Sequence, residues 1–223
     1  RPRFSNPSRS PRVLHVMTRM VRGGAQENTL ATVRGLGCKG YEVTLLTGPS
    51  WGKEGEILTE ALEAGVEVVL VPELVREISP WKDFAAFFKL LRLLSQRRFE
   101  ILHTHTSKAG ILGRLAARIV RIPIVIHTPH GHVFHSYFPG WKETLFLFLE
   151  RWAARGSDKL IALTSQCREE HLKRHVVTPE KWITIPSGVP EARFQRGLSR
   201  RDEILKELRI PPERRIIGFV GRF

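Results

Sequence analysis

Seven short apolar runs recur along the chain, and each is followed by a break or a stretch with helical spacing. The runs cover residues 13–17, 41–47, 66–71, 99–104, 123–128, 159–163 and 181–185. Between them, residues 25–38, 56–64, 80–96, 107–120, 141–155 and 165–175 place apolar side chains at helical intervals. Most of the runs are apolar on both faces, so they belong in a sheet covered on both sides. Strands that alternate with helices pair in parallel, because each crossover must return to the same end of the sheet. The expected class is α/β: a parallel sheet with helices on both faces.

After Pro186 the texture changes. Residues 187–199 show no period and contain Gly188, Pro190 and Gly197, so they are expected to be a linker. Residues 200–208 predict a short charged helix, and residues 216–220 an apolar strand that would open a second α/β domain. The chain begins with Arg1 and stops at Phe223 just after that run, so both ends read as cut. The expected divisions are a basic arm over 1–12, one domain over 13–186, the linker over 187–199, and an incomplete domain over 200–223.

Composition narrows the function classes. No apolar run approaches the about 18–20 residues needed to span a bilayer. The first twelve residues are rich in Arg, Pro and Ser and have no apolar h-region, so they are not expected to be a signal peptide. The two cysteines, Cys38 and Cys167, lie far apart, so a disulfide scaffold is excluded and a cytoplasmic location is expected. Lys plus Arg is 36 against 22 Asp plus Glu, a net charge of +14 that favours anionic partners. The stretch 82–121 alone carries nine basic and two acidic side chains. No run of five like charges and no recognition motif accompanies them, so nucleic acid is not an expected partner. An anionic membrane surface is a candidate partner, beside the plainer reading of a solvated basic face.

Ligands of an open parallel sheet bind at the carboxyl ends of its strands. Three loops lie there. Arg22-Gly23-Gly24-Ala25 follows the first strand; two glycines allow close backbone approach, and the helix behind them offers free N–H groups. That loop suits a phosphate, or it is simply a glycine turn that starts a helix. It is not Gly-x-Gly-x-x-Gly, and no Walker sequence occurs. His103-Thr104-His105-Thr106-Ser107-Lys108 follows the fourth strand; Ser107 is expected to cap the next helix, with His105 and Lys108 facing the cleft mouth and His103 in the core. His127-Thr128-Pro129-His130-Gly131-His132 follows the fifth, where Gly131 permits a turn that aims His130 into the cleft. Six of the nine histidines lie between His103 and His135, yet no H-E-x-x-H and no Cys-containing ligand set is present, so a metal is not expected. Two helical stretches, around Trp81-Phe84-Phe87-Phe88 and Trp141-Leu145-Phe148-Trp152, either pack on the sheet or keep an aromatic edge exposed beside Lys82, Lys89 and Arg92 as an interfacial membrane contact.

In this order the motifs resemble a known family. Val13-Leu14-His15-Val16, Gly23-Gly24-Ala25-Gln26, His103 through Arg114, His127 through His132, Ile185-Pro186-Ser187-Gly188-Val189 and Phe219-Val220-Gly221-Arg222-Phe223 are similar to the N-terminal, acceptor-side domain of retaining GT-B glycosyltransferases of family 4, of the bacterial polysaccharide type. Ser187 departs from the family's usual Asn before Gly-Val. The resemblance implies a Rossmann-like half of a two-domain fold. It implies that Gly23 and Gly24 approach the donor diphosphate, that His130 reaches the transferred sugar, and that His105, Ser107, Lys108, Gly131 and His132 shape the acceptor side. The substrates implied are a nucleotide sugar, UDP- or GDP-linked, and a saccharide or lipid-linked acceptor on the inner face of the plasma membrane. No cofactor and no metal is implied. The donor pocket would lie in the following domain, so these residues alone are expected to be inactive. The alternatives are a sugar-nucleotide epimerase of the same architecture and a non-catalytic sugar- or partner-binding domain.

Overall fold

A computed structural model describes residues 9–50, 57–131, 140–188 and 200–217. The chain separates into two compact units, Arg1–Ser187 and Gly188–Phe223. In the first, seven strands form one parallel sheet: β1 (Arg12–Met17), β2 (Glu42–Thr47), β3 (Glu67–Leu70), β4 (Ile101–His105), β5 (Ile124–Thr128), β6 (Lys159–Ala162) and β7 (Trp182–Thr184). Six helices connect them in turn: α1 (Gly24–Cys38), α2 (Leu58–Glu63), α3 (Pro80–Gln96), α4 (Ser107–Val120), α5 (Gly140–Arg155) and α6 (Ser165–Lys173), with a 3₁₀ turn at Pro179–Lys181. This is the α/β class expected from the alternation, and it is Rossmann-like as the resemblance implies.

The strand order is β3-β2-β1-β4-β5-β6-β7. The order reverses between β1 and β4, and such a switch point opens a crevice at the carboxyl edge of the sheet. The register there sets His15 opposite His103, and His105 opposite Thr128. Because side chains alternate along a strand, His15, His103 and His105 share one face. Leu14, Val16 and Leu102 take the other face and pack on α3 and α4 through Ala86, Leu90, Leu94, Ala109 and Ala116. The histidine face is continued by Met17 and Leu45, which pack with Leu30 and Val33 of α1. A third cluster, Ala154, Leu160, Ala162, Val176 and Trp182, closes the β6–β7 end.

Helix α4 lies unusually close to the sheet. A Cβ on Gly110 would stand 2.5 Å from the ring of His127, and one on Gly113 would stand 2.5 Å from the Thr104 methyl. Behind the glycines, Arg114 donates 2.8 and 2.7 Å bonds to the two carboxylate oxygens of Glu150 on α5, and a 2.9 Å bond to the Gly110 carbonyl. Burial works against ionisation of Glu150, but the Arg114 guanidinium outweighs it and holds the carboxyl at about 2.

In the second unit, α7 (Arg201–Glu207) buries Leu205. The strand expected over 216–220 is absent at Ile216 and Ile217, both exposed, and no partner strand is present among this unit's described residues. The rest of that strand and residues 189–199 of the expected linker lie outside the described residues.

Candidate functional site

The crevice at the β1–β4 switch point is built by three loops, each at the carboxyl end of a strand. After β1 the chain reaches Gly23, the cap of α1. Gly23 has an extended φ of 175°, and no side chain caps the helix. Neither glycine is demanded by packing: a Cβ on Gly24 would meet nothing within 4 Å, and one on Gly23 only the flexible end of Gln26. The first turn of α1 therefore presents backbone N–H groups without a competing side chain.

After β4, the expected cap is corrected. Thr106, not Ser107, occupies the cap position of α4, and its side chain does not cap the helix. Its Oγ1 donates to the His105 carbonyl at 2.6 Å and lies 3.4 Å from Thr18 Oγ1 across the switch point. The backbone of Thr106, at φ 59° and ψ 173°, is in a region that β-branched residues rarely enter. Ser107 begins the helix and lines a small pocket with Ile111, His127, Pro129 and Glu150. Lys108 does not face the cleft mouth: it bonds Asp83 Oδ1 at 2.6 Å and the Glu77 carbonyl, both near the start of α3. His105 is likewise not at the mouth, being 1% exposed with both ring nitrogens engaged.

After β5, His130 has a left-handed backbone, φ 59°, followed by Gly131 at φ 152°. Histidine tolerates that region better than most residues, and Gly131 is free to continue the turn. His132 lies outside the described residues.

The rings meet in a column. His15 Nδ1 lies 2.9 Å from His105 Nε2, and His105 Nδ1 lies 2.8 Å from His130 Nε2. His103 packs against both His15 and His105, with ring centroids 4.9 and 4.2 Å away, and its Nε2 shares a 2.8 Å bond with Thr128 Oγ1. His103 is buried, as expected of a core histidine. Burial disfavours the charged imidazole, lowering His15 to about 3 and His130 to about 4, and pushing His103 and His105 well below the ordinary value. On the opposite face, His127 Nδ1 donates to the Thr104 carbonyl at 3.1 Å, and burial, then Arg114, keep this ring neutral too, at about 3. The site thus consists of uncharged hydrogen-bonding rings beside an uncapped helix end.

His15 carries no local signal of a role in the site. Its position in an apolar run looks like any core place, and only its sharing of a face with His103 and His105 reveals it. The signal was a histidine in the first strand together with the His-x-His pair in the fourth. His15, His103 and His105 also form a possible metal set, each offering a nitrogen within 4.8 Å of the others. Two ring nitrogens on one tetrahedral zinc would stand about 3.3 Å apart, given zinc–nitrogen bonds of ~2.0–2.1 Å. The 2.9 Å contact of His15 with His105 is instead a hydrogen bond, so ligation would require that bond to break.

The family model for the glycosyl transferase 4-like domain matches residues 23–188. The chain belongs to this family. An Escherichia coli protein named UDP-Gal:alpha-D-GlcNAc-diphosphoundecaprenol alpha-1,3-galactosyltransferase is 33% identical over 95% of the chain and 53% of its own length. The Staphylococcus aureus capsular polysaccharide biosynthesis glycosyltransferase CapM is 27% identical over 70% of the chain and 41% of its length. The chain thus spans about half the length of these relatives, or less. Among solved structures, a glycosyltransferase from Rickettsia africae superposes with a TM-score of 0.69 at 14% identity, covering 92% of the chain and 51% of that protein; at that identity the likeness concerns the fold. The matched segment runs from Gly23, at the start of α1, past β7, so it takes in the glycine pair and the loops after β4 and β5.

Proposed function

We propose that this domain is the acceptor-side half of a glycosyltransferase that moves a sugar from a UDP- or GDP-linked donor to a lipid-linked saccharide, with retained anomeric configuration. The observation that carries it is the pairing, at one switch point, of an uncapped glycine-led helix with a histidine held in a left-handed turn. The helix end suits the donor diphosphate: its N–H groups and dipole favour negative charge, and the absence of side chains lets the phosphates approach. As the glycosidic bond lengthens, positive charge grows on the sugar and negative charge on the diphosphate. The fixed field of α1 stabilises the latter without reorganisation. A neutral His130 bonds a sugar hydroxyl and adds no positive charge beside the oxocarbenium-like carbon. Gly131 continues the same turn. Ser107 shares a small pocket with His127 and Pro129, while His105 acts from behind His130 and Lys108 through the start of α3.

The name of the Escherichia coli relative supports a polyprenyl-diphosphate sugar as acceptor class. Full-length protein incubated with UDP-galactose and a GlcNAc-diphospho-polyprenol should release UDP and lengthen the acceptor glycan. Nucleotide release with an epimerised sugar and no need for acceptor would replace this reading with the epimerase one. Binding of sugar without turnover would replace it with a non-catalytic role.

A lipid-linked acceptor places the work at a membrane surface, and α3 carries a matching feature. Trp81, Phe84 and Phe88 are 86%, 62% and 48% exposed on one edge, with Lys82 and Arg92 exposed beside them. No helix among the described residues is long and apolar enough to cross a membrane. An aromatic edge flanked by cations suits peripheral contact with anionic lipid on the cytoplasmic leaflet.

A further inference from the structure

His15 within β1, His105 at the end of β4 and His130 on the turn after β5 are joined side chain to side chain. A neutral imidazole carries one N–H and one lone pair, so His105, bonded at both nitrogens, can donate through only one of them. Its two bonds, at 2.9 Å to His15 and 2.8 Å to His130, must therefore run in the same sense. Two arrangements satisfy this. In one, the protons point toward His130: His15 Nδ1–H donates to His105 Nε2, and His105 Nδ1–H donates to His130 Nε2. His130 then carries its own proton on Nδ1. In the other, every proton is reversed and the spare N–H falls on His15 Nε2.

The two ends of the column are not equivalent. His15 Nε2 and His130 Nδ1 are both buried without a hydrogen-bond partner among the described residues. His15, however, is wholly buried in β1, with β2 and β4 on either side and Leu45 and His103 opposite it. His130 is only partly buried, on a turn at the carboxyl edge of the sheet. A buried N–H without an acceptor is rarer and costlier than a buried lone pair without a donor. The arrangement that leaves the spare N–H at His130, at the edge of the crevice rather than inside the sheet, is the one the fold favours.

We propose that His15 and His105 are positioning residues that hold His130 as its Nδ1–H tautomer, so that His130 presents a hydrogen-bond donor to an oxygen of the bound sugar. This rests on the reading that His130 meets the transferred sugar. It deepens that reading by fixing the direction of the bond: the sugar oxygen accepts and His130 donates. No proton is transferred. His103 completes the packing around the column but lies outside its two bonds, its Nε2 being committed to Thr128. Burial of all three rings supports the scheme, because a protonated ring anywhere in the column would break the one-way order.

The test is a tautomer measurement on full-length protein with ¹⁵N-labelled histidine. Long-range proton–nitrogen correlation should show the His130 proton on Nδ1 and a lone pair on Nε2. His15→Leu removes the far donor and should redistribute the His130 proton between its nitrogens. It should also lower kcat about 10–100-fold with little change in KM, the scale expected for a residue that sets a ring's tautomer from behind. His15→Asn, whose amide N–H stands where Nδ1 stood, should restore both. An Nε2–H tautomer at His130 in the wild-type protein overturns the proposal, and that result needs no variant to fold. So does a His15→Leu protein whose His130 signals and kcat are unchanged. A protein with the expected tautomer but no sugar transfer would sink the functional reading instead, so the two failures are separable.

Discussion

His130 is constrained by its backbone, at φ 59°, and by its ring, bonded to His105 at 2.8 Å. A side chain held twice is already placed before a ligand arrives, which is the condition for an orienting role. In full-length enzyme, His130→Ala should lower transfer about 10²-fold or more while thermal melting is little changed. Near-normal turnover would remove His130 from the mechanism. Gly24 offers the opposite kind of test. Nothing packs where its Cβ would be, so Gly24→Ala should leave the fold intact or stabilise α1 by up to about 1 kcal/mol. It should raise KM for the nucleotide sugar, because the methyl group stands between phosphate and backbone. Unchanged KM, measured against donor concentration, would leave Gly24 as merely the start of a helix. His130 and Gly24 were legible in the sequence because glycine and histidine after an apolar run are local signals. His15 was not, because its role depends on a neighbour 90 positions away.

Helix α4 is the element that holds the site against the rest of the domain. Its contact with β4 and β5 relies on two positions where only hydrogen fits. Gly110→Ala drives a methyl into the buried His127 ring and should cost about 1–3 kcal/mol, measured by denaturant unfolding. The Arg114–Glu150 fork ties the same helix to α5 with both partners buried. Removing one partner strands the other, so Glu150→Gln should cost on the order of 3–5 kcal/mol. A paired replacement by apolar residues of similar size should cost much less. The helix limits of α3 and α4 were readable from spacing alone, and both match the expected ranges. The cap of α4 was not, because Thr106 is placed by its bonds to the strand ends rather than by the usual capping geometry. On α3, the spacing left two readings for the aromatic stripe. Packing is satisfied by Ala86, Leu90 and Leu94, which leaves Trp81 and Phe84 outside. Changing both to Ser should reduce sedimentation with anionic liposomes without altering stability. Equal binding to neutral and anionic vesicles in the unaltered protein would count against the membrane reading.

At the scale of the whole domain, the buried histidines act together. His15 and His127 are held at about 3 and His130 at about 4, below the 6.5 of the unfolded chain, and His103 and His105 are lowered as well. Below pH 6.5 the unfolded chain binds protons that the folded one refuses. Stability is therefore full above that pH and is lost as pH falls toward the folded values. Each such histidine weakens the fold by about 1.4 kcal/mol per pH unit through that window. With several acting together, urea midpoints should fall steeply between about pH 6.5 and 5, an unusually early acid transition for a domain of typical stability. A flat midpoint over that range would mean that the rings are not buried as described. Glu150, held at about 2, adds a second loss below pH 4.5 by the same linkage.

The sequence by itself determined the alternation of strand and helix, the parallel sheet, and which loops lie at its carboxyl edge. These follow from hydrophobic period and from turn residues, which are local properties of the chain. Only the tertiary structure decided that β1 lies beside β4. That adjacency, with β5 on the far side of β4, turns three histidines from separate runs into one hydrogen-bonded column and buries His105 within it, while the packing of α4 engages Lys108 with Asp83 and leaves no room for a Cβ at Gly110. Strand order and side-chain pairing depend on contacts between residues tens of positions apart, and no spacing within one run encodes them.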